Sequence, residues 1–252
     1  MLRMNSVFSA FLLLSTLISA SSFAQSASKL INAVDASLYT NAQANTQANT
    51  QPNNQDQAVA MLFGKPITLT DINPDKDVIS DLRRQAPDNY KLLITQLRAI
   101  ELTNQIIEAV LDDYATANNI QIDSSLVERF KQNFGAEYEE KSQAASSAEE
   151  KVSSTTEKAE PKSIDDVAST QVKRWQIEKH LYSKYGGAVV FEQSNPSMPV
   201  AAYLAVMKEY DSKGKFKILN ATFAPRFWEA FEPPYDFPIP AESVDFSQPW
   251  WL

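Results

Sequence analysis

Two polar, low-complexity tracts decide where this chain can be ordered. The first, residues 25–57, is dominated by Ala, Asn, Gln and Thr, with a near-repeat Asn-Thr-Gln-Ala-Asn-Thr-Gln at 45–51. Such a tract cannot bury enough apolar surface to offset its ordering entropy, so a disordered tether is expected. The second, 136–162, is rich in Ser, Ala, Glu and Lys. A charged helical extension would fit its Glu and Lys content. The Ser-Ser and Thr-Thr pairs and Pro161 favour a disordered charged insertion instead. Folded structure is therefore expected in 58–135 and 163–252.

Within the first block, Ala58 to Phe63 reads as a short strand, Gly64-Lys65-Pro66 as a turn, and Ile67 to Thr70 as a second strand. A long helix is predicted from about Asp88 to Asn118. Leu93, Leu97, Ile100, Ile107, Leu111 and Tyr114 recur at helical spacing, and Asn118-Asn119 marks the stop. Ser125 followed by Glu128 has the spacing of a capping box, so a shorter helix carrying Leu126, Val127 and Phe130 should begin there. In the second block, Ser163 with Asp166 marks another helix start. Ile164, Val167, Ala168, Val172, Trp175, Tyr182 and Tyr185 form its apolar stripe, and Gly186-Gly187 suits its C-terminal cap. Ala188 to Phe191 is a short strand-like run. Pro199 opens a helix with Ala202, Tyr203, Val206 and Met207, closed by Gly214. Phe216 to Leu219 reads as extended, and a last short helix is expected around Arg226 to Phe231. From Pro233 the chain is proline-punctuated to its end at Trp250-Trp251-Leu252.

The N-terminus has the three parts of an export signal. Arg3 is the positive residue, Val7 to Ile18 the apolar run, and Ser22-Phe23-Ala24 places small residues before a cut at Ala24-Gln25. The apolar run is shorter than the roughly 20 residues of a membrane span. The expectation is a cleavable signal over 1–24, delivery to a bacterial periplasm or the exterior, and no integral membrane segment after cleavage. No cysteine occurs anywhere, which removes disulfides, thiolate metal sites, cysteine nucleophiles and lipid attachment through cysteine. Without the signal the chain has 22 basic and 31 acidic residues, a balance that argues against nucleic acid as a partner.

The order of an export signal, Val59-Ala60-Met61-Leu62-Phe63-Gly64-Lys65-Pro66-Ile67-Thr68-Leu69-Thr70-Asp71-Ile72 and a long helix resembles the N-terminal domain of SurA-type periplasmic chaperones and foldases. Ala117-Asn118-Asn119-Ile120-Gln121-Ile122-Asp123 before a helix is similar to the same family's pattern after its second long helix. The resemblance covers 58–135, with 163–185 as a returning partner helix. It implies a helical domain that helps bind unfolded client proteins. Foldases of this family usually carry a parvulin-type prolyl isomerase unit. With one histidine and five glycines, nothing in 186–252 resembles one.

His180 is the sole histidine, and its neighbouring acid Glu178 lies two residues away on a different helix face. It reads first as a structural or surface residue. Gly186-Gly187 lacks the lysine and further glycines of a phosphate loop, and Asp112-Asp113 and Glu139-Glu140 read as surface charge. No catalytic, cofactor-binding or metal-binding residue is expected.

The aromatic C-terminus is the strongest local anomaly, holding three of the four tryptophans. Trp228, Phe231, Tyr235, Phe237, Trp250 and Trp251 are candidates for partner binding, unless the tail wraps and fills its own core.

The fold class expected is mainly α with small β elements: a SurA-N-like helical domain (58–135 with 163–185) plus an α/extended, aromatic-rich segment (186–252) packed on it. The function expected is a non-enzymatic, chaperone-like binder of unfolded or extended polypeptide in the cell envelope. The alternatives are an enzyme using His180, or an accessory subunit that docks on an envelope protein through the C-terminal aromatics.

Overall fold

A computed structural model describes residues 57–149 and 163–252. The expected signal, almost all of the tether and residues 150–162 lie outside them. In chain order the elements are β1 (Ala58–Leu62), β2 (Lys65–Thr68), α1 (Lys76–Gln85), α2 (Tyr90–Ala117), α3 (Ser124–Glu149), α4 (Ile164–Tyr185), β3 (Val189–Glu192), β4 (Asn195–Met198), α5 (Val200–Ser212), β5 (Phe216–Ile218), α6 (Phe223–Glu229) and β6 (Pro238–Ile239). The chain is mainly α with two small antiparallel sheets, as expected. No helix among the described residues is long and apolar enough to cross a membrane.

These elements form two compact units. One comprises the described chain up to Tyr114 together with Val200–Tyr235; the other comprises Ala115–Pro199 together with Asp236–Leu252. This division differs from the grouping of 58–135 with 163–185 that the sequence suggested. The boundary falls inside the first expected domain, and residues 186–252 are shared between the units.

In the first unit, β1 and β2 form a hairpin whose two loop residues, Phe63 (φ 47) and Gly64 (φ 77), both have the positive φ of a type I′ turn. The turn thus lies one residue earlier than the sequence suggested, and Pro66 enters β2. That strand is an edge of the β2-β1-β5 sheet, where a missing N–H is tolerated. β5 covers the other side of β1, with Ala60 opposite Ile218 and Leu62 opposite Phe216. After β2 the chain is knotted locally. The Asp71 carboxylate accepts from the Thr68 N–H and hydroxyl, both at 2.7 Å, and Gln105 donates to the Asp71 carbonyl at 3.2 Å.

The buried face of α2 is Ile94, Leu102, Ile106, Val110, Leu111 and Tyr114. Of the expected stripe only the last two are buried, and Leu93, Leu97, Ile100 and Ile107 flank them half-exposed. The helix is apolar over a wide arc, so its spacing fixed the element but not the centre of the face. α5 buries Ala202, Tyr203, Val206 and Met207, the residues expected. Phe216, Phe227 and Phe231 complete this interior. Phe227 packs edge-on to Phe216 at 5.5 Å and to Phe231 at 5.4 Å.

The second unit is built on α3 and α4, which run antiparallel. Gln176 Oε1 accepts from the Asp123 N–H at 3.2 Å near one end, and Lys131 pairs with Asp165 at 2.7 Å towards the other. α4 starts at the expected capping box, with reciprocal bonds between Ser163 and Asp166. It stops at Gly186, whose positive φ (60) turns the chain as its N–H bonds to the Tyr182 carbonyl. The start of α3 corrects the sequence reading. Asp123, not a Ser125–Glu128 box, caps the helix by accepting from the Ser125 N–H and hydroxyl at 2.8 and 2.6 Å.

α3 also continues to Glu149, so 136–149 is the charged helical extension and not a disordered stretch. Ala, Glu, Lys and Gln favour helix here, and buried Tyr138 ties the segment to the core of Phe130, Val167, Val172 and Trp175. β3 is the centre of a β4-β3-β6 sheet beside these helices in the chain.

Candidate functional site

The six C-terminal aromatics do not share one surface. Phe231 is interior in the first unit, stacked on Tyr203 at 6.3 Å, and Trp228 is half-buried against Phe227 at 4.9 Å. The Tyr235 hydroxyl donates to the Phe231 carbonyl at 3.2 Å; burial, with the nearby Glu232 charge, raises its pKa above 10.0.

Trp251 is 5 % exposed in the second unit, edge-on to Phe130 at 5.5 Å and to Trp175 at 6.1 Å. Asn133 fixes its backbone by donating to the Trp251 carbonyl at 2.8 Å. Trp250 is half-buried against Phe134, and Phe246 stacks on Tyr182. Phe231 and Trp251 are therefore corrected from candidate partner contacts to core residues: each finds an apolar slot in its own unit. Phe237 alone stays open at 68 %, with a left-handed φ of 49, and its carbonyl accepts from the N–H of exposed Phe191.

The docked tail shapes a cleft of about 620 Å³ within the second unit. One wall is the face of α4 formed by Trp175, Gln176, Lys179, His180 and Ser183, side chains that a 3.6-residue period brings into line. Beside that face, Ile120, Gln121 and Asp123 with Leu126 and Arg129 of α3 also line the cleft, the Asp123 N–H reaching Gln176 Oε1 at 3.2 Å. Ser247, Gln248, Pro249 and Leu252 of the tail close the third side.

Beside the cleft the tail makes a local turn. Asp245 accepts from the Ser247 N–H at 2.7 Å, and Ser247 bonds, aided by the Lys179 charge, hold its carboxyl below 3.8. Asp123 is likewise held low, first by the Ser125 hydroxyl and then by the Ser125 N–H. The Lys179 ammonium lies 4.9 Å from the Trp175 ring centroid, a cation–π contact at the cleft wall.

Chemically, this surface offers apolar area from Ile120, Leu126, Trp175, Pro249 and Leu252 between neutral hydrogen-bonding groups from Gln121, Gln176, Gln248, Ser183 and Ser247. Such a lining suits an extended backbone with apolar side chains.

His180 lies on the cleft wall, while Glu178 points elsewhere, as expected for residues two apart. Glu178 is 2 % exposed and takes bonds from Arg174 Nε at 3.1 Å and Asn195 Nδ2 at 2.7 Å. That buried carboxylate ties α4 to β4 and was not foreseen, because Asn195 is remote in sequence. Asp113 accepts from the Tyr210 hydroxyl at 2.9 Å, and Glu139 and Glu140 are exposed on α3. Among the described residues no cluster of His, Asp and Glu is arranged to hold a metal ion.

No family model, curated protein or solved structure matches this chain.

Proposed function

We propose that this chain is an exported, chaperone-like protein of a bacterial cell envelope that holds unfolded or extended polypeptide in the second unit's cleft. The observation that carries the reading is the cleft lining: apolar area interleaved with amides and hydroxyls. The apolar part takes side chains of varied shape, and the neutral polar groups satisfy a peptide backbone irrespective of its sequence. Gln176 is an example. Its Oε1 is engaged by the Asp123 N–H, which orients its amide nitrogen as a donor at the wall.

Kinship with SurA-type chaperones is part of the proposal. The Thr68–Asp71 bonds give the run Gly64-Lys65-Pro66-Ile67-Thr68-Leu69-Thr70-Asp71, on which the resemblance rests, a physical role, since those two side chains close the chain after the hairpin. The sequence features of a signal peptide supply the localisation. Docking on an envelope protein through the C-terminal aromatics is the weaker alternative, because Phe231 and Trp251 are committed to the chain's own interior.

The test is suppression of aggregation of several chemically unfolded clients, without nucleotide or metal, by the protein and by Ser183→Trp, which places a bulky ring in the cleft. The protein should suppress aggregation and the variant should do so less well at equal helicity. Failure to protect any client would sink the chaperone reading; full activity in the variant would remove the cleft from it.

A further inference from the structure

The tail is held by groups that the rest of the second unit supplies. Trp251 lies against Phe130 and Trp175, Trp250 against Phe134, and Phe246 against Tyr182. Asn133 donates to the Trp251 carbonyl, and β6 pairs with β3. These seats all belong to α3, α4 or β3, remote from the tail in sequence. The tail of a second copy would therefore meet the same contacts.

The connector into the tail carries strain at one residue. The chain enters the second unit for the last time after Tyr235, through a stretch holding Pro233, Pro234, Pro238 and Pro240. Residues 232–234 and 236–238 of that stretch are exposed. Phe237 stands among them with φ 49, a left-handed conformation that the Cβ of a bulky residue resists. Rotation about its N–Cα bond carries the Phe237 carbonyl, β6 and everything that follows. Returning that φ to the extended region relieves the strain and lifts the tail from its own unit. A short connector under strain favours exchange of the segment beyond it.

The same residue gives an exchange something to cover. Phe237 and its cross-strand neighbour Phe191, whose N–H it accepts, are both exposed. In a reciprocal exchange about a two-fold axis the connectors of the two copies run past each other, beside these rings.

We propose that two copies of this chain exchange residues 237–252, so that the tail of each closes the cleft of the other. Ser247, Gln248, Pro249 and Leu252 of the cleft lining then come from the second copy. The lining is the same in either form, so the exchange does not depend on what the cleft receives.

The chain has no cysteine, so an engineered pair reports which copy fills each seat. Asn133→Cys with Leu252→Cys, in the full chain, puts one thiol at the seat and one on the tail. Loss of the Asn133 bond weakens the tail equally in both forms. The protein is refolded from denaturant at low and at high concentration and treated with a short thiol crosslinker. Low concentration should give links within a chain; high concentration should give covalent dimers with unchanged circular dichroism. Light scattering then reads dimerisation of the unsubstituted chain and of Phe237→Gly, which accepts the left-handed φ and removes the ring. That variant should dimerise about tenfold more weakly. A monomeric mass of the unsubstituted chain at every concentration would overturn the proposal. So would a dimer whose links stay within each chain, or one indifferent to Phe237→Gly.

Discussion

Trp251 shows how a single side chain settles what the tail does. Its indole lies between Phe130 and Trp175, while its Nε1 has no hydrogen-bond partner among the described residues. Burial of so large a ring outweighs one unmet donor. Trp251→Ala should lower unfolding stability by about 3–5 kcal/mol in denaturant titrations. Trp251→Phe should cost distinctly less, because it keeps most of the ring area and removes the orphan N–H. Equal, small losses in both variants would mean that the tail is not docked.

The sequence showed an aromatic cluster but could not divide it. Phe231, Phe237 and Trp251 look alike in composition. One is buried in the first unit, one is exposed, and one is buried in the second. Only long-range packing separates them.

At the scale of elements, what was legible is what is decided locally. The Ser163–Asp166 box and Gly186 bound α4 within a few residues of themselves, and both were readable. α1 was missed because it is short and heavily charged, with only Val78, Ile79 and Leu82 as apolar residues and none of them buried. The far half of α3 was misread because Ser146-Ser147 and the Ser, Thr and Pro residues that follow hid a run of good helix formers.

The Asp123 cap makes a pH-dependent prediction. Its carboxyl is held below the ordinary aspartate value of 3.8 by bonds from Ser125, and that of Asp71 by bonds from Thr68. A depressed folded pKa means a stabilisation complete above the unfolded value and lost as pH falls through the folded one. Asp123→Ala should therefore destabilise the protein near neutral pH, and its gap from the unsubstituted chain should narrow below pH 3.8. Asp123→Asn, which still accepts from the first turn, should remain close to the parent at neutral pH. Thermal unfolding across an acid titration measures all three. A gap that does not change with pH would contradict the cap.

For the molecule as a whole, the chain builds one unit, leaves it after Tyr114 to build the other, returns at Val200 and leaves again after Tyr235. Linear reading could not find that interleaving, since β1 meets β5 across the intervening second unit's sequence. The cleft was hidden for the same reason. Its walls come from residues 120–129, 175–183 and 247–252, and its amides and serines form no motif along the chain.

The central claim is that this composite surface receives extended polypeptide. Site-specific photo-crosslinking tests it most directly, with the photoreactive residue placed at Ser183 or Gln248 in the cleft and, as a control, at exposed Lys217 of β5. An unfolded client should crosslink from both cleft positions and not from Lys217. Crosslinking from Lys217 alone, or from none of the three while the client stays soluble, would contradict the claim.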